Sequence, residues 1–151
     1  MTNSPAAFID QNASGPRIGL FGGTFDPPHV GHLVTAVNVL HALHLDQVIL
    51  MVANVPWQKE GSRVITAAQD RLAMVAAAVA GVPGLVAGET EIQMGGPSYT
   101  VDTLRRLSDV HTDASFFTIV GDDAAAGLVE PLAVLHRRSG AGQRQAVERV
   151  G

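Results

Sequence analysis

The chain has 151 residues, 46% of them hydrophobic and none of them cysteine, which suits one globular domain and excludes a disulfide framework or a zinc finger built on thiolates. Its formal charge of −4 is uneven: residues 1–136 hold six Lys or Arg against thirteen carboxylates, a net −7, while residues 137–151 hold four arginines against Glu148, a net +3. An acidic body without a clustered cationic face argues against duplex nucleic acid as partner; with no apolar run near about 18 residues and no signal-like start, a cytoplasmic protein that does not enter a membrane is expected.

Residues 1–16 (MTNSPAAFIDQNASGP) are rich in Ser, Asn, Pro and Ala without periodicity and read as a flexible leader. Order is expected from Arg17. Ile18, Leu20 and Phe21 predict a short apolar strand, and the following GGTFDPP, with two glycines and two prolines, predicts a loop. In residues 29–44, HVGHLVTAVNVLHALH, the apolar Val30, Leu33, Val34, Val37 and Leu40 fall at helical spacing. Residues 47–52 (QVILMV) predict a buried strand, and after a loop through Pro56 an alanine-rich helix is expected over 67–80, closed by Gly81 and Pro83.

Residues 85–92 predict a further strand, residues 99–107 a helix with Leu104 and Leu107 inward, and residues 115–120 (SFFTIV) a strand leading through GDDAAAGL into one more helix. Strands alternate with helices, and their continuous apolar runs imply burial on both faces. The fold class expected is therefore α/β, a Rossmann-like doubly wound parallel sheet whose ligands sit at the carboxyl ends of its strands. From Glu130 onward, small and charged residues dominate and no β-rich run is visible, so no fifth strand is expected. The organisation predicted is an α/β domain over 17–136, C-terminally incomplete, and an irregular basic tail over 137–151. SFFTIV would then form an exposed sheet edge, which predicts self-association.

The chemistry concentrates in Gly19 to Leu33. Gly22 and Gly23 let the backbone approach a ligand, and the helix that follows offers unpaired amides and a positive dipole end to an anion. His29 and His32, three apart in the first helical turn, project from that same end. Transfer of a phosphoryl or nucleotidyl group needs mainly positioning and charge stabilisation, so the absence of a Ser/His/Asp or Cys/His constellation causes no difficulty. His41 and His44 repeat the spacing at the opposite helix end and read as surface residues or dipole partners. A zinc site fails on ligand count, and no metal ligands are assigned. Trp57, the sole tryptophan, stands with Pro56, Gln58 and Lys59, the sole lysine, in a polar loop where an aromatic suits a ligand ring. Tyr99 serves equally well as a cap of the helix it precedes.

GGTFDPPHVGH resembles the signature of the HxGH nucleotidyltransferase superfamily, in the version found in bacterial nicotinate-mononucleotide adenylyltransferases, and the similarity extends from about Arg17 to Leu128. The resemblance implies adenylyl transfer from ATP, with Mg²⁺, to nicotinate mononucleotide, giving deamido-NAD and pyrophosphate. It implies that His29 and His32 contact the ATP phosphates and that Gly23, Thr24 and Phe25, with Gly22 beside them, hold nucleotide by their backbone. Lys59 in VPWQK matches a loop lysine that helps hold phosphate, and Pro56 and Trp57 are then expected to line the pyridine pocket. PSYTVDTL carries over Tyr99, Thr100 and Asp102 to the nicotinate side, and IVGDDA, similar to an IxGADA motif, puts Gly121 and Asp123 near the nucleotide. No counterpart of the family's ISSTxxR phosphate segment is found in residues 1–151, which predicts retained nucleotide affinity with reduced turnover. Two other readings stand beside this one: a noncatalytic nucleotide-binding remnant, and another HxGH transferase such as a pantetheine-phosphate adenylyltransferase.

Overall fold

A computed structural model describes residues 15–56, 64–121, 133–138 and 146–149, the last two segments as backbone only. Residues 1–14 of the leader expected over 1–16, and the helix expected to open in GDDAAAGL, lie outside the described residues. In chain order the elements are β1 (Arg17–Gly23), α1 (Val30–Ala42), β2 (Gln47–Val52), α2 (Ala68–Val79), β3 (Leu85–Gly88), α3 (Thr90–Met94), α4 (Thr100–Val110), β4 (Ser115–Ile119), β5 (Ala133–Arg138) and β6 (Ala146–Arg149).

The strands form one sheet in the order β3-β2-β1-β4-β5-β6. β1 lies inside it, parallel to β2 from Ile18 opposite Gln47 to Gly23 opposite Val52, and parallel to β4 from Arg17 opposite Ser115 to Phe21 opposite Ile119. The chain lays β2 and β3 outward on one side of β1 and then crosses back to put β4 on the other side. Strand order thus reverses between β1 and β4, and in doubly wound sheets the crevice beyond the carboxyl ends at such a point is where ligands bind.

Alternation along the buried strands divides the core into two layers, one on each face of the sheet. Phe21, Val48, Leu50, Val52, Phe117 and Ile119 pack with Ala36, Val39, Leu40 and Leu43 of the α1 segment and with Val75 and Val79 of α2. Ile18, Leu20, Ile49, Met51 and Phe116 pack on the opposite face with Leu104 and Leu107 of α4, as the helical spacing predicts. Each large aliphatic or aromatic side chain fully buried here contributes about 1.5–3 kcal/mol, and helices on both faces satisfy the doubly wound expectation.

Several expectations are corrected. Gly22 and Gly23 end β1 rather than opening the loop. The apolar stripe of α1 is corrected in part: Leu40 is buried and Leu33 and Val37 pack against the core, but Val30 and Val34 are 74% and 52% exposed and Ala36 and Val39 share the inner face instead, because the helix meets the sheet along the row through 36, 39, 40 and 43. The strand expected over 85–92 stops at Gly88, and α3 follows. At Gly88 an added Cβ would lie 2.5 Å from Ile49 Cγ2 and 2.8 Å from Met51 Cε, so β2 side chains fill the space beside the last residue of β3.

Beyond β4 the sheet does not end. β5 pairs antiparallel with β4, Ser115 opposite Arg138 to Ile119 opposite Val134, and β6 pairs antiparallel with β5. The absence of a fifth strand and the exposed SFFTIV edge are therefore corrected, and with that edge goes the reason for expecting self-association; β5 runs across residue 136, and β6 lies within the stretch expected as the tail. Pairing with an open neighbour, not local β-propensity, decides such short charged segments. At the amino end of β1, Arg17 donates from Nε to the His44 carbonyl at 3.1 Å and from Nη2 to the Leu43 carbonyl at 2.8 Å. The carbonyls just past α1 are thus met by Arg17, and His41 and His44 stand exposed.

Candidate functional site

β1 delivers the chain to the carboxyl edge at Gly23, and Thr24 to Pro28 carry it across to α1. In this turn Phe25 takes a left-handed backbone with φ of 50°, which costs a residue with a Cβ about 1–2 kcal/mol. Its ring is only 2% exposed, and burial of a phenylalanine stabilises by about 1.5–3 kcal/mol, which offsets that cost. The ring folds back over Gly23, where an added Cβ would sit 2.9–3.1 Å from three ring carbons. Gly23 is glycine because Phe25 occupies its side-chain space. At Gly22 an added Cβ meets nothing within 4 Å, so that side of the strand end is open.

Phe25 lies edge-on to Phe21, with centroids 5.9 Å apart, and edge-on to His32 at 4.9 Å. His32 in turn stacks on His29, with ring centroids 3.7 Å apart and planes 23° apart. The two imidazoles that the sequence singles out therefore stand together at the tip of α1, His29 exposed and His32 half-buried against the aromatic wall. The His29 backbone N–H donates to His32 Nδ1 at 3.1 Å. A main-chain amide can only donate, so Nδ1 is the acceptor and neutral His32 carries its proton on Nε2. Gly31 lies under the other imidazole: a Cβ there would be 3.0 Å from His29 Cε1 and Nδ1.

The first turn of α1 contains no acidic residue, whereas Asp70, Glu91 and Asp102 stand in the first turns of α2, α3 and α4. Carboxylates at those three helix starts complement the local dipole, and α1 alone of the described helices leaves its positive end for another anion.

A residue that the sequence reading misses joins this loop to the next. Arg71, in α2, is 1% exposed. Its Nη1 donates to the Thr24 carbonyl at 2.9 Å and to the Ala53 carbonyl at 2.7 Å, Nη2 to the Asn54 carbonyl at 3.0 Å, and Nε to the Thr66 carbonyl at 2.8 Å. Burial lowers the guanidinium's pKa, and the charge of Asp26 pulls it back upward. Asp26 accepts from the Thr66 N–H at 2.9 Å, and the Ala53 N–H donates to the Gly23 carbonyl at 3.0 Å. An alanine-rich helix with one arginine gives no sequence signal for this, since the four acceptors are main-chain carbonyls.

The second loop meets a third. Val55 bridges Pro97, the Asn54 N–H donates to Ser98 Oγ at 2.8 Å, and Asn54 Nδ2 donates to the Gly96 carbonyl at 3.0 Å. Pro56, half-buried, and Tyr99, 49% exposed, thus flank paired segments. Tyr99 is the N-cap residue of α4 and its carbonyl accepts from the Asp102 and Thr103 amides. Thr100 is exposed, and Asp102 pairs with Arg105 at 3.1 Å on the surface. Below them Glu91, buried, accepts from Thr103 Oγ1 at 2.7 Å; burial raises its pKa, and hydrogen bonds from Thr103 and Ser98 oppose the rise.

Gly121 follows β4 at the same carboxyl edge, half-buried, two residues past Ile119, as Gly23 stands two past its partner Phe21. Trp57, Lys59 and Asp123 lie outside the described residues. The structure thus brings together Gly22, Gly23, Thr24, Phe25, His29 and His32, and ties Pro56 to the Tyr99 segment through the Val55 bridge. Phe25 offers only its backbone, because its ring is core.

Comparison with known proteins bears on the family and the fold. The model of the cytidylyltransferase-like family matches residues 20–145. A probable nicotinate-nucleotide adenylyltransferase of Geobacillus thermodenitrificans is 46% identical over 121 residues, covering 80% of this chain and 54% of the relative. One of Desulfatibacillum aliphaticivorans is 50% identical over 108 residues, covering 72% and 49%. The chain spans about half the length of the curated relatives it matches. A solved nicotinic acid mononucleotide adenylyltransferase of Plasmodium falciparum, complexed with NaAD, superposes with a TM-score of 0.59 at 15% identity, covering 77% of this chain and 57% of that one, which supports the fold. On the extent of the family match, the chain belongs to the cytidylyltransferase-like family.

Proposed function

We propose that this chain binds ATP and nicotinate mononucleotide and takes part in adenylyl transfer between them, in the cytoplasm, giving deamido-NAD and pyrophosphate. The observation that carries this reading is the stacked pair His29 and His32 on an acid-free helix start at the sheet's switch point. Relatives at 44–50% identity named as probable nicotinate-nucleotide adenylyltransferases support the choice of substrates.

In the reaction, an oxygen of the mononucleotide phosphate attacks the α-phosphorus of ATP, and the bond from that phosphorus to the bridging oxygen of the β-phosphate breaks, releasing pyrophosphate. The nucleophile is already ionised near neutral pH, so no proton need be removed from it. Mg²⁺ enters as part of the ATP substrate, held by its phosphates. The chain's contribution is placement and charge: α1 amides and the two imidazoles face the non-bridging oxygens, with His32 donating from Nε2. Gly22 to Phe25 and Gly121 line the ATP side by backbone, and Pro56, Tyr99, Thr100 and Asp102 the pyridine side. Trp57, Lys59 and Asp123 complete the proposed set.

Pyrophosphate release in the presence of ATP and nicotinate mononucleotide, with calorimetric titration of each nucleotide, tests this. His29→Ala is expected to cost about 1.5–3 kcal/mol of interaction with a charged ligand, roughly ten- to hundredfold, and to lower stability by less, about 0.5–2 kcal/mol, because its side chain closes the capping box at the start of α1. Equal loss of stability and affinity would make His29 structural. Binding without release would assign the chain to nucleotide binding alone.

A further inference from the structure

Three chain segments converge at the carboxyl edge of β1 and β2, and one side chain joins them all. Arg71 bonds Thr24 of the first loop, Ala53 and Asn54 of the second, and Thr66 ahead of its own helix. Every acceptor is a main-chain carbonyl, so the clamp sets backbone position. Two further bonds close the ring: Ala53 to Gly23, and Thr66 to the Asp26 carboxylate.

We propose that Arg71 is a positioning residue that sets the spacing between the phosphate-side loop and the second loop, and so the alignment of the two nucleotides. This rests on the proposed function for its consequence, though not for its geometry. A planar fork of five donors is what diverging carbonyls on separate segments require; a lysine, a point charge with three donors on one nitrogen, cannot span them. Burial sharpens the demand, because a carbonyl left without a donor in a water-poor site loses its partner outright. Asn54 and Thr66 also bracket, in sequence, the stretch containing Trp57 and Lys59, so the same side chain holds the anchors on both sides of it.

Amide hydrogen exchange of the full chain, read by NMR, tests the clamp independently of nucleotide. In Arg71→Lys the Ala53 and Thr66 amides are expected to exchange at least about tenfold faster than in the wild type, with the central amides of β1 and β4 unchanged. ATP affinity by calorimetry is expected to fall about tenfold. Unchanged protection at Ala53 and Thr66, or a uniform rise across the whole sheet, overturns the proposal. Should Arg71→Lys not fold, the wild type decides: the Ala53 and Thr66 amides must be protected to within about tenfold of the β1 core, and exchange at the rate of exposed amides overturns it. A wild-type chain that fails to bind ATP refutes the nucleotide reading and leaves the exchange result to judge the clamp.

Discussion

Replacing Phe25 separates two effects that the structure joins in one residue. Phe25→Ala removes a ring that is 2% exposed, and such truncations cost about 3–5 kcal/mol. The edge-on contacts with Phe21 at 5.9 Å and His32 at 4.9 Å each add about 0.5–1.5 kcal/mol at most, part of it already counted in the burial. A net loss near 4 kcal/mol should lower the melting temperature by roughly 10 °C, at about 2–4 °C per kcal/mol for a chain of this size. Alanine would still pay about 1–2 kcal/mol for the left-handed backbone, whereas glycine escapes that and loses about 0.4–1 kcal/mol through the freer unfolded chain. Phe25→Gly is therefore expected to equal or exceed Phe25→Ala in stability, by up to roughly 1.6 kcal/mol. Thermal and urea unfolding of both variants provides the measurement. A loss below about 1 kcal/mol for Phe25→Ala would refute the burial reasoning, and an alanine variant clearly more stable than the glycine one would refute the backbone assignment.

Gly31→Ala should act in opposite directions on stability and binding. Alanine favours the helix by about 0.5–1 kcal/mol, yet its Cβ would press on His29 at 3.0 Å, so melting temperature should hold or rise while ATP affinity falls about fivefold; unaltered affinity by calorimetry would show that the imidazole position is immaterial. Glu91 predicts a pH dependence. Its folded pKa is raised from the ordinary 4.5 by burial, so the folded state binds more protons than the unfolded state above that value. Stability should fall as pH rises from about 4.5 through the raised folded value, and Glu91→Gln, which keeps an acceptor for Thr103, should flatten that fall in a series of melting curves. Parallel curves for the two proteins would remove Glu91 as the cause.

Much of the site was legible because it is local. The spacing of His29 and His32, the paired glycines and the start of a helix after a strand are all short-range features, and they place both imidazoles at one helix tip whatever the rest of the chain does. The inward Leu104 and Leu107 followed from period alone. The role of Phe25 did not, since nothing in GGTFDPP distinguishes a side chain that meets ligand from one that turns under its own strand. Gly23 and Gly31 were legible as small residues, but what fills the space beside them, the Phe25 and His29 rings, is a matter of tertiary contact.

The amino-acid sequence by itself determined the alternation of strand and helix, the parallel doubly wound class and the glycine turn that leads into α1, because each depends on periodicity and on residues within a few positions of one another. Only the tertiary structure decided the rest: Arg71 gathering carbonyls up to 47 residues away, the row of α1 that meets the sheet, and β5 extending the sheet past β4. Main-chain acceptors and open strand edges carry no side-chain signature, so their partners become visible only when the folded chain brings them within hydrogen-bond reach.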